Sequence, residues 1–267
     1  MPIAAVTNHP TSSSPSSQSA LSCLSLNADT LSNKIDELKS LVCTINPDII
    51  AITEIYPKRS RFSMEDCEIQ IENYDTFRTP QTPNTRGCAL LIHTSLKANL
   101  VDLQHEYKDQ IWCSIKLQGK DTLLISCVYR HHDARGEDHM IFMDMLDKGI
   151  QTNHTHLLIT GDFNLPNIVW PTCIPKKGNL TETEQAFIDL IRDKYLYQHI
   201  DKPTRYRQNQ SANILDLILT NEEDMVTDIE HLSPLGSSDH CTLSFKFNCY
   251  SNQTNCHSQK PIYDKGN

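Results

Sequence analysis

Four places in the sequence combine side chains that could handle a charged oxygen. Gly161-Asp162-Phe163-Asn164 sets a carboxylate and a carboxamide two residues apart, just after the aliphatic run Leu157-Leu158-Ile159. Ser237-Ser238-Asp239-His240 joins a carboxylate to an imidazole ahead of another apolar stretch. Glu54 closes Ile49-Ile50-Ala51-Ile52-Thr53, and Asp216 interrupts Ile214-Leu215-Asp216-Leu217-Ile218-Leu219. Residues i and i+2 of an extended segment point the same way, so Asp162 and Asn164 should reach one spot. There they could deprotonate and orient a water. A His supported by a buried Asp is held in one orientation and can stabilise charge on phosphoryl oxygens. Oxygen ligands without clustered Cys or His suit Mg2+ or Mn2+ better than zinc. Such an ion can neutralise a phosphate and stabilise a leaving oxyanion. Together these residue types point to metal-dependent phosphoester hydrolysis.

Plainer readings stand beside this one. An Asx-turn closing a strand would also explain Asp162 and Asn164. Asn27 and Tyr129, at two further strand ends, fit ordinary strand-end polar residues, and Glu54 fits a solvated loop. Lys58, Arg59 and Arg61 form a solvated patch that, beside Glu54, could grip a nucleic-acid backbone. His131-His132 reads as a surface loop, with a metal pair as the alternative. Asp216 is harder to explain away, because a carboxylate in an apolar strand needs a cationic or donating partner.

The elements that must position these residues alternate. Leu21–Leu26 reads as a strand ending at Asn27. Leu31, Ile35, Leu38, Val42 and Ile45 fall at helical spacing, capped by Asp29 or Thr30 and stopped by Pro47. The strand 48–53 follows, so a β-α-β start puts Asn27 and Glu54 on one rim. Tyr56 to Thr85 reads as irregular. Strands are expected at 88–93, 111–117 and 123–128, the last leading into Tyr129-Arg130. A helix is expected at 140–150, its methionines being core filler. The strand before Asp162 is followed by a loop from Pro166 to Gly178. Thr181 and Glu184 form a capping box for a helix with Ala186, Phe187, Leu190 and Ile191 on its buried stripe. Strands at 214–219, 226–232 and 241–247 close the chain, and 226–230 alternates as if one face were solvated. No internal repeat is visible.

The 267 residues suffice for one large α/β domain, here residues 20–248. Residues 1–19, rich in Ser and Pro, read as disordered and carry no secretory signal. Residues 249–267 read as a polar tail, with Cys249 and Cys256-His257 a weak metal hint. The ten cysteines show no C-x-x-C pair and look like small core residues of a reducing, intracellular compartment. No run approaches a membrane span. A net charge of −9 excludes a generally basic nucleic-acid coat but not a local basic groove.

In order, strand-Asn27, Thr53-Glu54, Tyr129-Arg130, Gly161-Asp162-Phe163-Asn164, Leu215-Asp216 and Ser238-Asp239-His240 resemble the endonuclease/exonuclease/phosphatase superfamily over roughly residues 20–248. Asn164-Leu165-Pro166-Asn167-Ile168-Val169-Trp170, Lys202-Pro203-Thr204-Arg205 and Leu215–Asn221 resemble most the apurinic-type endonuclease domain of non-LTR retrotransposons. The resemblance implies a four-layer α/β sandwich: two packed mixed β-sheets flanked by helices. It implies Glu54 as main metal ligand, with Asn27 and Asp239 near the same Mg2+ or Mn2+. Asp162 would activate water and Asn164 position it. His240, braced by Asp216, would contact the scissile phosphate, and Tyr129 would assist at the leaving side. Lys58, Arg59, Arg61 and Arg130 would contact substrate. The expected partner is DNA, bound by a monomer in an intracellular setting that includes the nucleus, with any reverse transcriptase encoded elsewhere. The rivals are a repair endonuclease, a phosphoinositide phosphatase or a deadenylase on the same scaffold, and a silent retroelement remnant. Two departures stand out: Thr85-Arg86-Gly87 replaces a glycine pair, and Val169 replaces an acidic residue common before the tryptophan. Neither is expected to touch the chemistry, though either would mark a decayed copy.

Overall fold

A computed structural model describes residues 20–58, 63–170 and 172–249. The expected disordered segment 1–19, the tail from 250 onward and the Cys256-His257 hint lie outside the described residues. In chain order the first half runs β1 (Ala20–Asn27), α1 (Ile35–Ile45), β2 (Ile49–Thr53), α2 (Asp66–Ile69), β3 (Tyr74–Arg78), β4 (Cys88–His93), β5 (Asn99–Leu100), β6 (Gln110–Lys116) and β7 (Thr122–Tyr129). The second half runs α3 (Glu137–Ile150), β8 (His156–Asp162), β9 (Ile168–Val169), β10 (Ile174–Pro175), α4 (Glu182–Asp193), β11 (Tyr197–Gln198), β12 (Asp216–Thr220), β13 (Val226–Leu232) and β14 (Thr242–Asn248).

Two six-stranded sheets result, ordered β13-β14-β1-β2-β4-β3 and β11-β12-β8-β7-β6-β5. In each, one parallel pair sits at the centre, β1 with β2 and β7 with β8, and every other pairing is antiparallel. Each parallel pair is joined through a helix, α1 or α3, as a parallel crossover requires. The two sheets thus repeat one pairing scheme that no sequence repeat announced.

Period-2 alternation explains the layers. In β7, Leu123, Ile125, Cys127 and Tyr129 enter a core shared by both sheets, while Leu124 and Val128 enter the core under α3 and α4. In β1, Leu21 and Cys23 face the inter-sheet core, while Leu24 and Leu26 pack with Leu38 and Val42 of α1. Helix, sheet, sheet, helix is the four-layer sandwich expected. Cys23, Cys88, Cys113, Cys127, Cys241 and Cys249 are free thiols in the inter-sheet core, as small core residues should be. Cys249 therefore belongs to the packed domain and not to a polar tail.

Several local expectations are corrected. Asp29 and Thr30 do not cap α1: the N–H groups of Thr30 and Leu31 bond to the Glu54 and Ile55 carbonyls, so this loop follows the exit of β2 and the helix starts at Ile35. The stretch 56–85 is not wholly irregular. It holds α2 and β3, an edge strand whose only fully buried residue is Tyr74, so no apolar run marks it. A bulge with Asp228 at φ 53° breaks the alternation of 226–230. The loop 166–178 contains the two-residue pairing of β9 with β10. The capping box on α4 is present, the Thr181 oxygen accepting from the Glu184 N–H and the Glu184 carboxylate from the Thr181 N–H.

Candidate active site

Strand register delivers the polar residues to one edge of the sandwich. Asn27 stands opposite Thr53 across the β1–β2 pair. In the other sheet Tyr129, Asp162 and Asp216 lie in one row, because β7 and β8 run parallel while β12 returns antiparallel and begins where β8 ends. Asp216 is therefore the first residue of its strand, not a carboxylate in mid-run. Gly161 is required here: at φ 137° a Cβ would lie 2.0 Å from the Val128 carbonyl oxygen. That close approach lets Asp162 settle between the sheets.

The two rims are stitched by side chains. Asn27 Nδ2 donates to Glu54 Oε1 (2.9 Å) and to Asp162 Oδ2 (3.0 Å), while its Oδ1 accepts from the Asp29 N–H (2.9 Å). Thr160 and Ser25 bond across the sheets at 2.8 Å. His240 Nδ1 lies 2.7 Å from Asp216 Oδ2, and its Nε2 faces Asp162 Oδ2 at 3.8 Å and Asp239 Oδ1 at 3.7 Å. Thr204 Oγ1 accepts from the N–H groups of Leu215 and Asp216, and Ser238 Oγ donates to the Asn27 carbonyl. Asn27, Glu54, Tyr129, Asp162, Asn164, Asp239 and His240 line one cleft of about 860 Å³, with Asp216 behind His240.

Burial and charge set the protonation states. Asp162 is 1% exposed, and burial, reinforced by Asp216 and Glu54, pushes its carboxyl up to about 8. Burial alone would lower His240, but Asp216 and Asp162 outweigh it and raise the imidazole to about 10. The two share one environment in which a proton is readily held near neutral pH. Burial, aided by Glu54 and Asp162, also raises the Tyr129 phenol well above its ordinary value.

Asn164 reaches the cleft by a route other than strand alternation. It sits at φ 49°, its N–H bonded to Asp162 Oδ1 (3.1 Å) and its Nδ2 to the Arg130 carbonyl (2.9 Å). The Asx-turn is present, and it is what turns the carboxamide. Arg130 is corrected: 3% exposed, it does not line this cleft and donates to the carbonyls of His131, Asn164 and Ala134. Lys58 lines the cleft, and Arg59 and Arg61 lie outside the described residues.

Arg86, in the departure at 85–87, lines the cleft and lies against Glu54. Its guanidinium is held against Glu54 through Nε (2.7 Å) and a second, shorter contact from Nη2. Sequence reasoning also missed Arg205, which pairs with Asp239 at 2.9 Å, the adjacent Tyr206 and Arg207, and a second acid–imidazole pair, Asp109 Oδ2 with His131 Nε2 at 2.7 Å. Asp109, which raises His131, stood inside no motif, and only the double histidine marked the place.

The donor set fits a hard divalent cation, since Glu54, Asp29, Asp239 and Asp162 bring carboxylate oxygens to one cleft. Asn27 turns an amide N–H to the carboxylates, so its share would be to hold Glu54. Among the described residues, Asp162, Asp216 and His240 each offer a ligand atom within 4.8 Å of the others, a group that could hold a metal ion.

The four-layer sandwich, with an acidic, histidine-bearing cleft across its two sheet rims, has the endonuclease/exonuclease/phosphatase fold of the solved structures it resembles. Residues 123–244 match the family described as endonuclease-reverse transcriptase. The endonuclease domain of TRAS1, a telomere-specific non-LTR retrotransposon, is 14% identical, with 86% of this chain and 99% of that one covered at a TM-score of 0.65. The catalytic domain of Xenopus laevis APE2 is 14% identical over 88% and 94%, at 0.65. A 3′ phosphatase from Neisseria, solved with a product DNA hairpin, is 14% identical over 86% and 100%, at 0.63. No curated protein matches in sequence. The resemblance read from the order of motifs holds, and so does the fold it implied. Among the described residues no helix is long and apolar enough to cross a membrane.

Proposed function

We propose that the chain is a Mg2+- or Mn2+-dependent phosphodiesterase that nicks DNA, of the retrotransposon endonuclease type. The observation that carries this reading is Asp162. It is a buried carboxylate fixed by Asn27 on one side and faced by the His240–Asp216 pair on the other, at the floor of a cleft. A cleft edged by Lys58, Arg205, Tyr206 and Arg207 suits a polyanion with exposed bases.

In this reading Asp162 takes the proton of the attacking water, and Asn164, fixed through the Arg130 carbonyl, orients that water or the phosphate. Held through Nδ1 by Asp216, the His240 imidazolium presents Nε2 to a phosphoryl oxygen, where developing charge is stabilised. Tyr129 stands on the leaving side with its ring edge-on to His131, at 4.9 Å between centroids. His131, held by Asp109, can return a proton to the leaving oxygen. A divalent ion held by Glu54, near Asn27 and Asp239, would supply charge neutralisation at the phosphate. A reverse transcriptase encoded elsewhere and a nuclear site of action would follow for a retroelement enzyme.

The test is conversion of supercoiled plasmid to open circles in Mg2+ and Mn2+, with Asp162→Ala, His240→Ala and an EDTA control. Nicking by the wild type alone, lost in EDTA, is the expected result. A folded wild type that leaves plasmid intact but cleaves abasic duplex, an inositol phosphate or poly(A) would replace DNA nicking with that activity. Inertness toward all four substrates would leave a silent remnant.

A further inference from the structure

Arg86 is not a surface arginine that drifted to an acid. The residue is 5% exposed, and its donors are directed: Nε and Nη2 to Glu54 Oε2, Nη2 also to Asp29 Oδ1 (2.8 Å), and Nη1 to the Tyr56 carbonyl (2.5 Å). Glu54 Oε1 is taken by the Asn27 amide. The backbone on both sides is pinned. The Tyr56 N–H donates to the Arg86 carbonyl, the Gly87 N–H donates to buried Asp109 Oδ1 at 2.6 Å, and a Cβ at Gly87 would strike the Tyr56 ring at 2.3 Å. Both Glu54 oxygens thus have protein partners, and one partner is a guanidinium, which keeps its charge across the pH range.

From this we infer that Arg86 is a resident counter-cation for Glu54, with which a divalent metal must compete. The inference rests on the reading of Glu54 as metal carboxylate. The fork of Arg86 neutralises Glu54 and Asp29, so the acidic rim stays assembled when metal is scarce. A divalent ion arriving at Glu54 meets an adjacent positive charge and must displace or share the carboxylate. Metal affinity is therefore set low by a residue that is not itself a ligand, and nuclease activity should track metal concentration over the range that a weak site samples. The Asp162 rim has no such device: its cationic neighbour is an imidazole.

Mn2+ binding to the full chain, followed by electron paramagnetic resonance, tests this. Arg86→Gln, which keeps an amide donor and removes the charge, should bind Mn2+ about tenfold or more tighter than the wild type. Its melting temperature in EDTA should fall, and the rise on adding Mn2+ should grow. Affinity equal to or weaker than wild type in Arg86→Gln overturns the inference alone. Mn2+ binding unchanged by Glu54→Gln overturns the placement of the metal at Glu54, and the inference with it. Should Arg86→Gln not fold, the wild type still answers through the Arg86 Nε–H resonance. Protected in EDTA, that proton should shift and exchange faster in saturating Mg2+; a resonance that saturation leaves unmoved overturns the inference.

Discussion

The two sheet rims that form the cleft are built alike and charged differently. Each is the carboxyl end of a parallel strand pair joined by a helix, and each carries a carboxylate at the exit of its second strand, Glu54 directly after β2 and Asp162 as the last residue of β8. Glu54 is balanced by a guanidinium whose charge is permanent. Asp162 is balanced by an imidazole whose charge can change. A permanent cation fixes a carboxylate in place and competes with other cations for it, whereas a titratable partner lets a proton move. In the proposed mechanism, one pairing scheme used twice yields an electrostatic half and a proton-transfer half, and the difference lies in which side chain crosses from a neighbouring loop.

The sharpest way to break this contrast is to disable the proton-transfer half without a cavity. Asp162→Asn should lower the plasmid-nicking rate by about 10²–10⁴-fold, the range for a lost general base. The melting temperature should hold or rise, because a desolvated carboxylate is removed. A variant that keeps a tenth of wild-type activity would end the assignment of Asp162. Next in size, Asp216→Asn should cost on the order of 10²-fold in rate by releasing His240 from its orientation. Its imidazole, read by NMR titration, should titrate well below the wild-type value of about 10.

Asp162 is raised to about 8, so its base form accumulates as pH rises, and nicking should climb through pH 8. Stability should move the other way. His240 has a folded pKa of about 10 against an ordinary 6.5, so its contribution is complete below 6.5 and lost as pH rises through 10. Melting temperature measured from pH 6 to 10 should therefore fall while activity rises, and Asp216→Asn should flatten that fall. The smallest effect is expected on the basic edge. Arg205→Ala should weaken DNA binding modestly, reduce the salt slope by about one if it meets a phosphate, and free Asp239. An unchanged slope would make Arg205 a brace for Asp239 only.

Much of this molecule was legible in the chain because local rules and global packing agree. The apolar run 123–128 marked a strand leading into Tyr129, and the Thr181/Glu184 capping box marked the start of α4. Six short motifs in order identified the fold although each alone is weak. The errors fall where long-range pairing overrides local pattern. Thr30 and Leu31 bond to the exit of β2 in place of starting a helix, and β3 is a strand because β4 offers it an edge. Arg130 looked like a substrate contact from its place beside Tyr129, yet it is buried off the cleft with its Nη1 and Nη2 donating to three carbonyls.

The sequence by itself determined the strand tips and the types of side chain on them, because those follow from periodicity and from the cost of burying polar groups, while the four layers came through the resemblance of its ordered motifs. Only the tertiary structure decided who faces whom. Arg86 and Glu54 are 32 residues apart, His240 and Asp216 24, and Asn27 and Asp162 135. Charge pairing depends on distance in space. Closing two sheets over one core sets those distances, and no spacing along the chain encodes them.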